Sequence, residues 1–197
     1  MLKPMILVLI TLASIEFFDG TMSPSKRLVI AHDLDNKGKD INLLFDATKK
    51  RSITTLKSFD YFKGENHGGI YATYSKTEDM VAVVHSGKWE PSQLALASTK
   101  TGSQVALLGK VTKDAKAYLA KHPQKQASKF VFDVQGAKFM GNSIHFAVLG
   151  QIPKDENAPV VCVDIAYSYS LGKKGLEVTN ATFKTLQEST MYYWPNI

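Results

Sequence analysis

Between positions 161 and 169 every second residue is apolar or aromatic (Val161, Val163, Ile165, Tyr167, Tyr169), while Asp164, Ser168 and Ser170 point the other way. Strict alternation of this length fits a half-buried β-strand and does not fit a helix. The same period runs through Phe130, Phe132 and Val134, and through Ile144, Phe146 and Val148. A turn, Leu171-Gly172-Lys173-Lys174-Gly175, leads to a last strand from Leu176 toward Leu186. The region 128–187 is therefore expected to be a four-stranded antiparallel meander that buries one face.

The first half alternates less cleanly but carries more turn chemistry. Strand candidates lie at 27–32, 42–46, 52–57, 69–74, 80–85, 93–98 and 104–108. Polar stretches of hairpin length separate several of them: Asp46-Ala47-Thr48-Lys49-Lys50, Ser75-Lys76-Thr77-Glu78-Asp79 and Ser98-Thr99-Lys100-Thr101-Gly102. One helix is expected over 111–122. Thr112 is its candidate N-cap and Asp114 lies in its first turn. Val111, Ala115, Tyr118 and Leu119 share a face, and Pro123 stops it. The expected fold is mainly β (α+β): a blade-like antiparallel sheet over 26–109, the helix, then the meander, in one compact domain over 26–197.

At the N-terminus Lys3 precedes an apolar stretch over 5–15, which reads as a secretory signal peptide within 1–20. About eleven apolar residues rise only ~16 Å as a helix, roughly half of a bilayer core, so no transmembrane span is expected after cleavage. The expected destination is the periplasm or the extracellular space. A single cysteine excludes an internal disulfide, which favours a bacterial envelope and makes Cys162, within the apolar run 160–165, a buried thiol. The net charge of +6 favours anionic partners, namely lipid headgroups, polysaccharide or nucleic acid. The cations are dispersed, in groups at 49–51, 110–129 and 173–174, without interleaved aromatics, so no specific nucleic-acid recognition is expected.

The segment 69–108 resembles a blade of the WD40-like propeller repeat of TolB-type bacterial envelope proteins. The residues that carry the likeness are a strand at 70–74, the turn Ser75 to Asp79, an apolar strand at 80–85, the loop 86–92, a strand at 93–98, the hairpin Lys100-Thr101-Gly102 and a strand at 104–108. Strands over 27–57, with Asp46 to Lys50 as their turn, look like part of a preceding blade. The resemblance implies a local hairpin arrangement on an open sheet, with the helix and the second meander supplying the cover. The turn at 75–79 lacks the repeat's Pro and Gly, and a chain of this length has too few blades to close a propeller.

Special residues concentrate in two loops, 62–69 and 86–92, which a hairpin of 69–74 with 80–85 would bring together. Asn66, His67, His85, Lys88, Trp89 and Glu90 are the candidate binding residues. Two imidazoles and a carboxylate, His67, His85 and Glu90, have the composition of an open zinc site, although their spacing matches no metal motif. The structural alternative gives Gly68-Gly69 a tight turn, packs Trp89 on the sheet edge and leaves the histidines with ordinary hydrogen bonds. The stretch 33–40 begins like a calcium loop but has Lys37 at the fifth position and Leu44 at the twelfth, so it reads as a polar turn. No nucleophile elbow, phosphate loop or dinucleotide fingerprint occurs, and Ser143 lacks a motif that would activate it. No catalytic residue, metal or cofactor is assigned. The aromatic tail Met191-Tyr192-Tyr193-Trp194-Pro195 reads as an anchor onto the core, with sugar stacking as the alternative. The functional expectation is an exported, non-enzymatic protein that binds an envelope protein or an anionic polymer through those loops. Its alternatives are a metal-dependent hydrolase centred on His67, His85 and Glu90, and a subunit that assembles through sheet edges.

Overall fold

The structure, a computed structural model, describes residues 15–57, 59, 69–87, 91–121, 130–152 and 160–194. The chain is mainly β: three four-stranded antiparallel sheets, each a meander in sequence order, and a single helix among the described residues. The first sheet contains β1 (Glu16–Phe17), β2 (Leu28–Leu34), β3 (Asp40–Asp46) and β4 (Arg51–Thr55). The second contains β5 (Gly69–Tyr74), β6 (Met80–Ser86), β7 (Pro91–Ser98) and β8 (Gln104–Ala106). Helix α1 (Leu108–Lys121) leads to the third, with β9 (Val131–Met140), β10 (Ser143–Gln151), β11 (Val161–Gly172) and β12 (Gly175–Leu186). No closed barrel or propeller forms, and no helix among the described residues is long and apolar enough to cross a membrane.

The C-terminal meander matches the alternation closely. Ile144, Phe146, Val148, Val163, Ile165 and Tyr167 all face one core. The region 26–109 divides into two sheets rather than one, because each chain reversal pairs only neighbouring strands and the second set stacks on the first. Sheet one turns Ile30 and Leu44 toward Val81, Val83, Ala95 and Ala97 of sheet two. The opposite face of sheet two, with Met80, Ala82, Val84, Leu94 and Leu96, meets the third sheet and the Val111, Ala115 and Leu119 stripe of α1. Each large side chain buried in these two seams contributes roughly 1.5–3 kcal/mol of transfer free energy.

The first two sheets repeat one another. Leu28 pairs with Asp46 and Val29 with Phe45, and 52 positions later Met80 pairs with Ser98 and Val81 with Ala97. The turn before each pair is the same. The Ser23 N–H donates to the Leu28 carbonyl, the Lys26 N–H to the Ser23 carbonyl and the Leu28 N–H to the Ser23 hydroxyl. Ser75, Glu78 and Met80 repeat all three bonds. Lys26 and Glu78 both adopt the left-handed conformation, at φ 60° and 54°, and so do their counterparts in the following turns, Lys50 at 51° and Gly102 at 72°. Only Gly takes that conformation without steric cost, so the three side-chain-bearing residues are held there by their surroundings.

The helix begins at Leu108, nearly a turn before the expected start, so Thr112 lies inside it and caps nothing. The cause is Leu107, which is fully buried and accepts the first helical bond from the Val111 N–H at 2.8 Å. Asp114 serves the tertiary structure instead: its carboxylate accepts a hydrogen bond from the Tyr167 hydroxyl at 2.9 Å and an ion pair from Lys110 at 3.1 Å, tying α1 to β11. In the stretch 21–25, Thr21 and Ser23 are buried in the first sheet's turn. Residues just before it form β1, in which Phe17 pairs with Ala31, and Phe18 joins the core. Cys162 is buried on β11, and the loop at 35–39 is a polar turn in which Asp35 accepts the Lys37 and Lys39 N–H groups.

The aromatic tail is an anchor. Trp194 is buried in the main core, its indole N–H donates to the Val134 carbonyl, and its backbone N–H donates to the Gln135 carbonyl, both at 2.9 Å. Gln135 is the extra residue where the β9–β10 register shifts. Gly136 next to it lets the tail cross, since a Cβ there would lie 2.4 Å from the Tyr192 carbonyl oxygen. Gly136→Ala is accordingly expected to lift the tail and cost about 2–3 kcal/mol, read as a lower urea midpoint together with a shift of the Trp194 fluorescence.

Candidate anion-binding cleft

Of the six candidate binding residues, Asn66, His67, Lys88, Trp89 and Glu90 lie outside the described residues. His85 is described, and it is buried in β6 between Ile70 and Gln93. Among the described residues no group of three or more His, Cys, Asp or Glu side chains gathers in a way that would hold a metal ion. The described concentration of charge lies at the other end of the first two sheets, where the repeated turns meet.

There the β3–β4 turn of sheet one and the β7–β8 turn of sheet two flank a cleft of about 360 Å³. Arg27, Lys49, Arg51 and Lys100 line it together with the hydroxyls of Ser52, Thr99 and Thr101, and Asp46 is its one carboxylate. Asp46 is spent on structure. It is only 3% exposed, accepts the Lys49 N–H at 2.9 Å and holds the Arg27 guanidinium at 3.6 Å. This pairing fixes the Arg27 side chain at the cleft while leaving it 38% exposed. Arg51 stands opposite Asp46 in the β3–β4 register, and Lys100 contacts Asp79 at 3.5 Å with most of its side chain in solvent. Four cations around one internally bonded carboxylate leave an excess of positive charge at a concave surface, which attracts anions and favours planar oxyanion groups through the two guanidiniums. A second hollow of about 290 Å³, between the second and third sheets, has Lys100 as its one cationic residue beside Asp79 and is mostly apolar, so it lacks that bias.

The cleft depends on a joint between the two repeats. Glu78 of the β5–β6 turn reaches back to the β1–β2 turn, where its carboxylate accepts hydrogen bonds from the Ser25 hydroxyl (2.5 Å), the Ser25 N–H (2.7 Å) and the Ser23 hydroxyl (3.0 Å). On its other side Thr99 donates its hydroxyl to the Glu78 carbonyl (2.6 Å) and its N–H to the Asp79 carbonyl (2.9 Å). Three turns from two sheets are thereby locked together. Burial works against the Glu78 charge, but the bonds from Ser25 and Ser23 and the nearby Arg27 outweigh it and hold the carboxyl below its ordinary range. The Thr77 and Ser75 hydroxyls do the same for Asp79, with Lys100 adding to the effect against partial burial. The turn chemistry of 75–79 was legible in the sequence. The partnership of Glu78 with residues some fifty positions earlier was not, since no local pattern marks it.

Ser143, which has no activating motif, lies 3.1 Å from His145 Nε2, and His145 Nδ1 lies 3.1 and 3.2 Å from the two Asp164 oxygens. The Ser143 proton is directed to the Met140 carbonyl at 2.7 Å, so the hydroxyl is not poised for attack. Asp164 also accepts the Tyr192 hydroxyl at 2.8 Å, while burial and the Asp164 charge push that phenol up. The group is a clamp on the C-terminal tail.

No protein-family model matches the chain, and no curated protein matches it. Its chemistry therefore rests on its own geometry, of which the Glu78 joint is directly testable. A carboxyl held below its ordinary value of 4.5 contributes stability that is complete above that value and is lost as the pH falls through the lower folded value. Glu78→Gln is expected to cost about 1.5–3 kcal/mol at pH 7, and to flatten the loss of stability between pH 5 and pH 3, in urea titrations run across that range.

Proposed function

We propose that this chain is an exported bacterial protein of the periplasm or extracellular space, non-enzymatic, that binds an anionic polymer at the cleft between its first two sheets. The observation that carries the reading is the set Arg27, Lys49, Arg51 and Lys100, drawn from three separate turns and gathered around one buried, internally satisfied carboxylate. Two features support it. The apolar leader over 5–15 and the single cysteine suit a protein passed across a bacterial inner membrane. The duplicated turn and strand register of the first two sheets supports the blade-like resemblance, and stacked blades commonly present their turns as a binding rim.

The cleft suits a carboxylated or sulfated chain better than a single small ion. Its cations are spread along the turns, and its hydroxyls from Ser52 and Thr101 offer neutral donors between the charges. Asn66, His67, Lys88, Trp89 and Glu90, from the loops singled out in the sequence, are kept as candidates for a partner protein.

Isothermal titration of the exported form with dextran sulfate and with polygalacturonate, against neutral dextran, tests the reading. Binding is expected to weaken steeply between 50 and 300 mM NaCl, and the triple change Lys49→Ala, Arg51→Ala, Lys100→Ala is expected to weaken it about tenfold or more without lowering thermal stability. Equal affinity for neutral and charged dextran, or full affinity in the triple variant, would sink it.

A further inference from the structure

The cleft does not end at the β7–β8 turn. Lys100 lines it and also lines the hollow of about 290 Å³ between the second and third sheets, so the two concavities meet at that side chain. Asp79, which lines the hollow and not the cleft, holds the Lys100 ammonium at 3.5 Å, while 71% of the lysine side chain stays exposed. A polymer that leaves the cleft over Lys100 enters the hollow next.

The two concavities differ in charge. The cleft sets four cations against one carboxylate that is already bonded within the protein, whereas the hollow sets Lys100 against Asp79 and has no other charged residue in its lining. Hydrogen bonds from the Thr77 and Ser75 hydroxyls, at 2.6 and 2.7 Å, keep the Asp79 carboxyl below its ordinary range, so it is ionised at neutral pH. A second anionic group placed in the hollow meets this carboxylate, and the one cation there is already paired to it.

The rest of the hollow is suited to an uncharged group. Tyr169 and the exposed Leu171 line it beside the side-chain amide of Asn142 and the hydroxyl of Ser170. The Tyr169 ring is held edge-on by Phe139, with centroids 5.9 Å apart, and its hydroxyl donates to the Gly141 carbonyl at 3.3 Å. An aromatic ring and an aliphatic side chain next to neutral donors and acceptors complement a neutral sugar, which presents C–H faces and hydroxyl edges.

We infer, on the reading of the cleft as a polymer site, that its ligand is an acidic polysaccharide in which charged and neutral sugars alternate. The carboxylated sugar occupies the cleft, and its neutral neighbour lies beyond Lys100 in the hollow. Charge alone favours the polymer with the most carboxylates per unit length, and the hollow reverses that order.

Isothermal titration of the exported form with two oligosaccharides of equal length tests this, one from hyaluronan, in which glucuronate alternates with N-acetylglucosamine, and one from polygalacturonate, which has a carboxylate on every sugar. The hyaluronan oligosaccharide is expected to bind about threefold or more tightly although it carries half the charge. Leu171→Arg, a change at an exposed position that adds a cation to the hollow, is expected to reverse this preference. Asp79→Asn, which keeps an oxygen for Thr77 and Ser75, is expected to narrow it, and thermal melting reports whether each variant is folded. Polygalacturonate binding as tightly as hyaluronan, or more so, overturns the inference and leaves the anionic cleft standing, as does an unchanged preference in folded Leu171→Arg. Binding of neither oligosaccharide nor of dextran sulfate removes both readings. The comparison on the unaltered protein decides the matter even if a variant does not fold.

Discussion

The second sheet has no solvent face. Along β6 every residue from Met80 to His85 is buried, alternately against the first sheet and against the third sheet with its helix. An antiparallel sheet exposed on one side needs only a single apolar face, whereas this one has two and must be sandwiched. The other layers follow from that requirement. Sheet one supplies Ile30 and Leu44 on one side, and sheet three supplies Phe146, Ile165 and Tyr167 on the other. The helix fills the seam that remains, with Asp114 fastening it to Tyr167. A chain without disulfides is held by these two apolar seams.

Stacking also creates the chemistry. Each turn of the first two sheets is an ordinary polar reversal when taken alone. Once the sheets are face to face, the turns of one repeat lie beside those of the next, and Glu78 bonds across the seam to Ser23 and Ser25. That carboxylate ties the β5–β6 turn to the β1–β2 turn, and the backbone carbonyls of Glu78 and Asp79 hold Thr99 of the β7–β8 turn, so Arg27 and Lys100 project from turns bonded to one another. Preorganisation of this kind lowers the ordering cost of binding a flexible polymer. The left-handed conformations of Lys26 and Glu78 belong to the same design, each stabilised by the turn bonds repeated in both sheets.

Much of the fold was legible in the residues. The alternation around Ile144 to Val148 and Val161 to Tyr169 located β10 and β11, and the polar groups at 46–50, 75–79 and 98–102 located turns, because both signals are local. The division of 26–109 into two sheets was not legible, since the hairpin signals are the same whether strands extend one sheet or begin another. The start of α1 was misplaced because a buried Leu107, not a polar cap, sets it. β1 escaped notice because two residues of strand leave no periodic signal. His85, singled out for its loop-side position, is buried within β6.

By itself the sequence determined the strands, their half-buried or fully apolar character, the reversal points and the surplus of positive charge. These depend on side-chain spacing and turn propensity within a few residues. Only the tertiary structure decided which faces meet, that the first two sheets repeat at a spacing of 52 positions in strand register and turn geometry, and that Arg27, Lys49, Arg51 and Lys100 surround one cleft. The physical reason is that apolar burial is non-directional. It demands that faces be covered but names no partner, and the partner is settled by the hydrogen bonds and close contacts that a particular stacking permits.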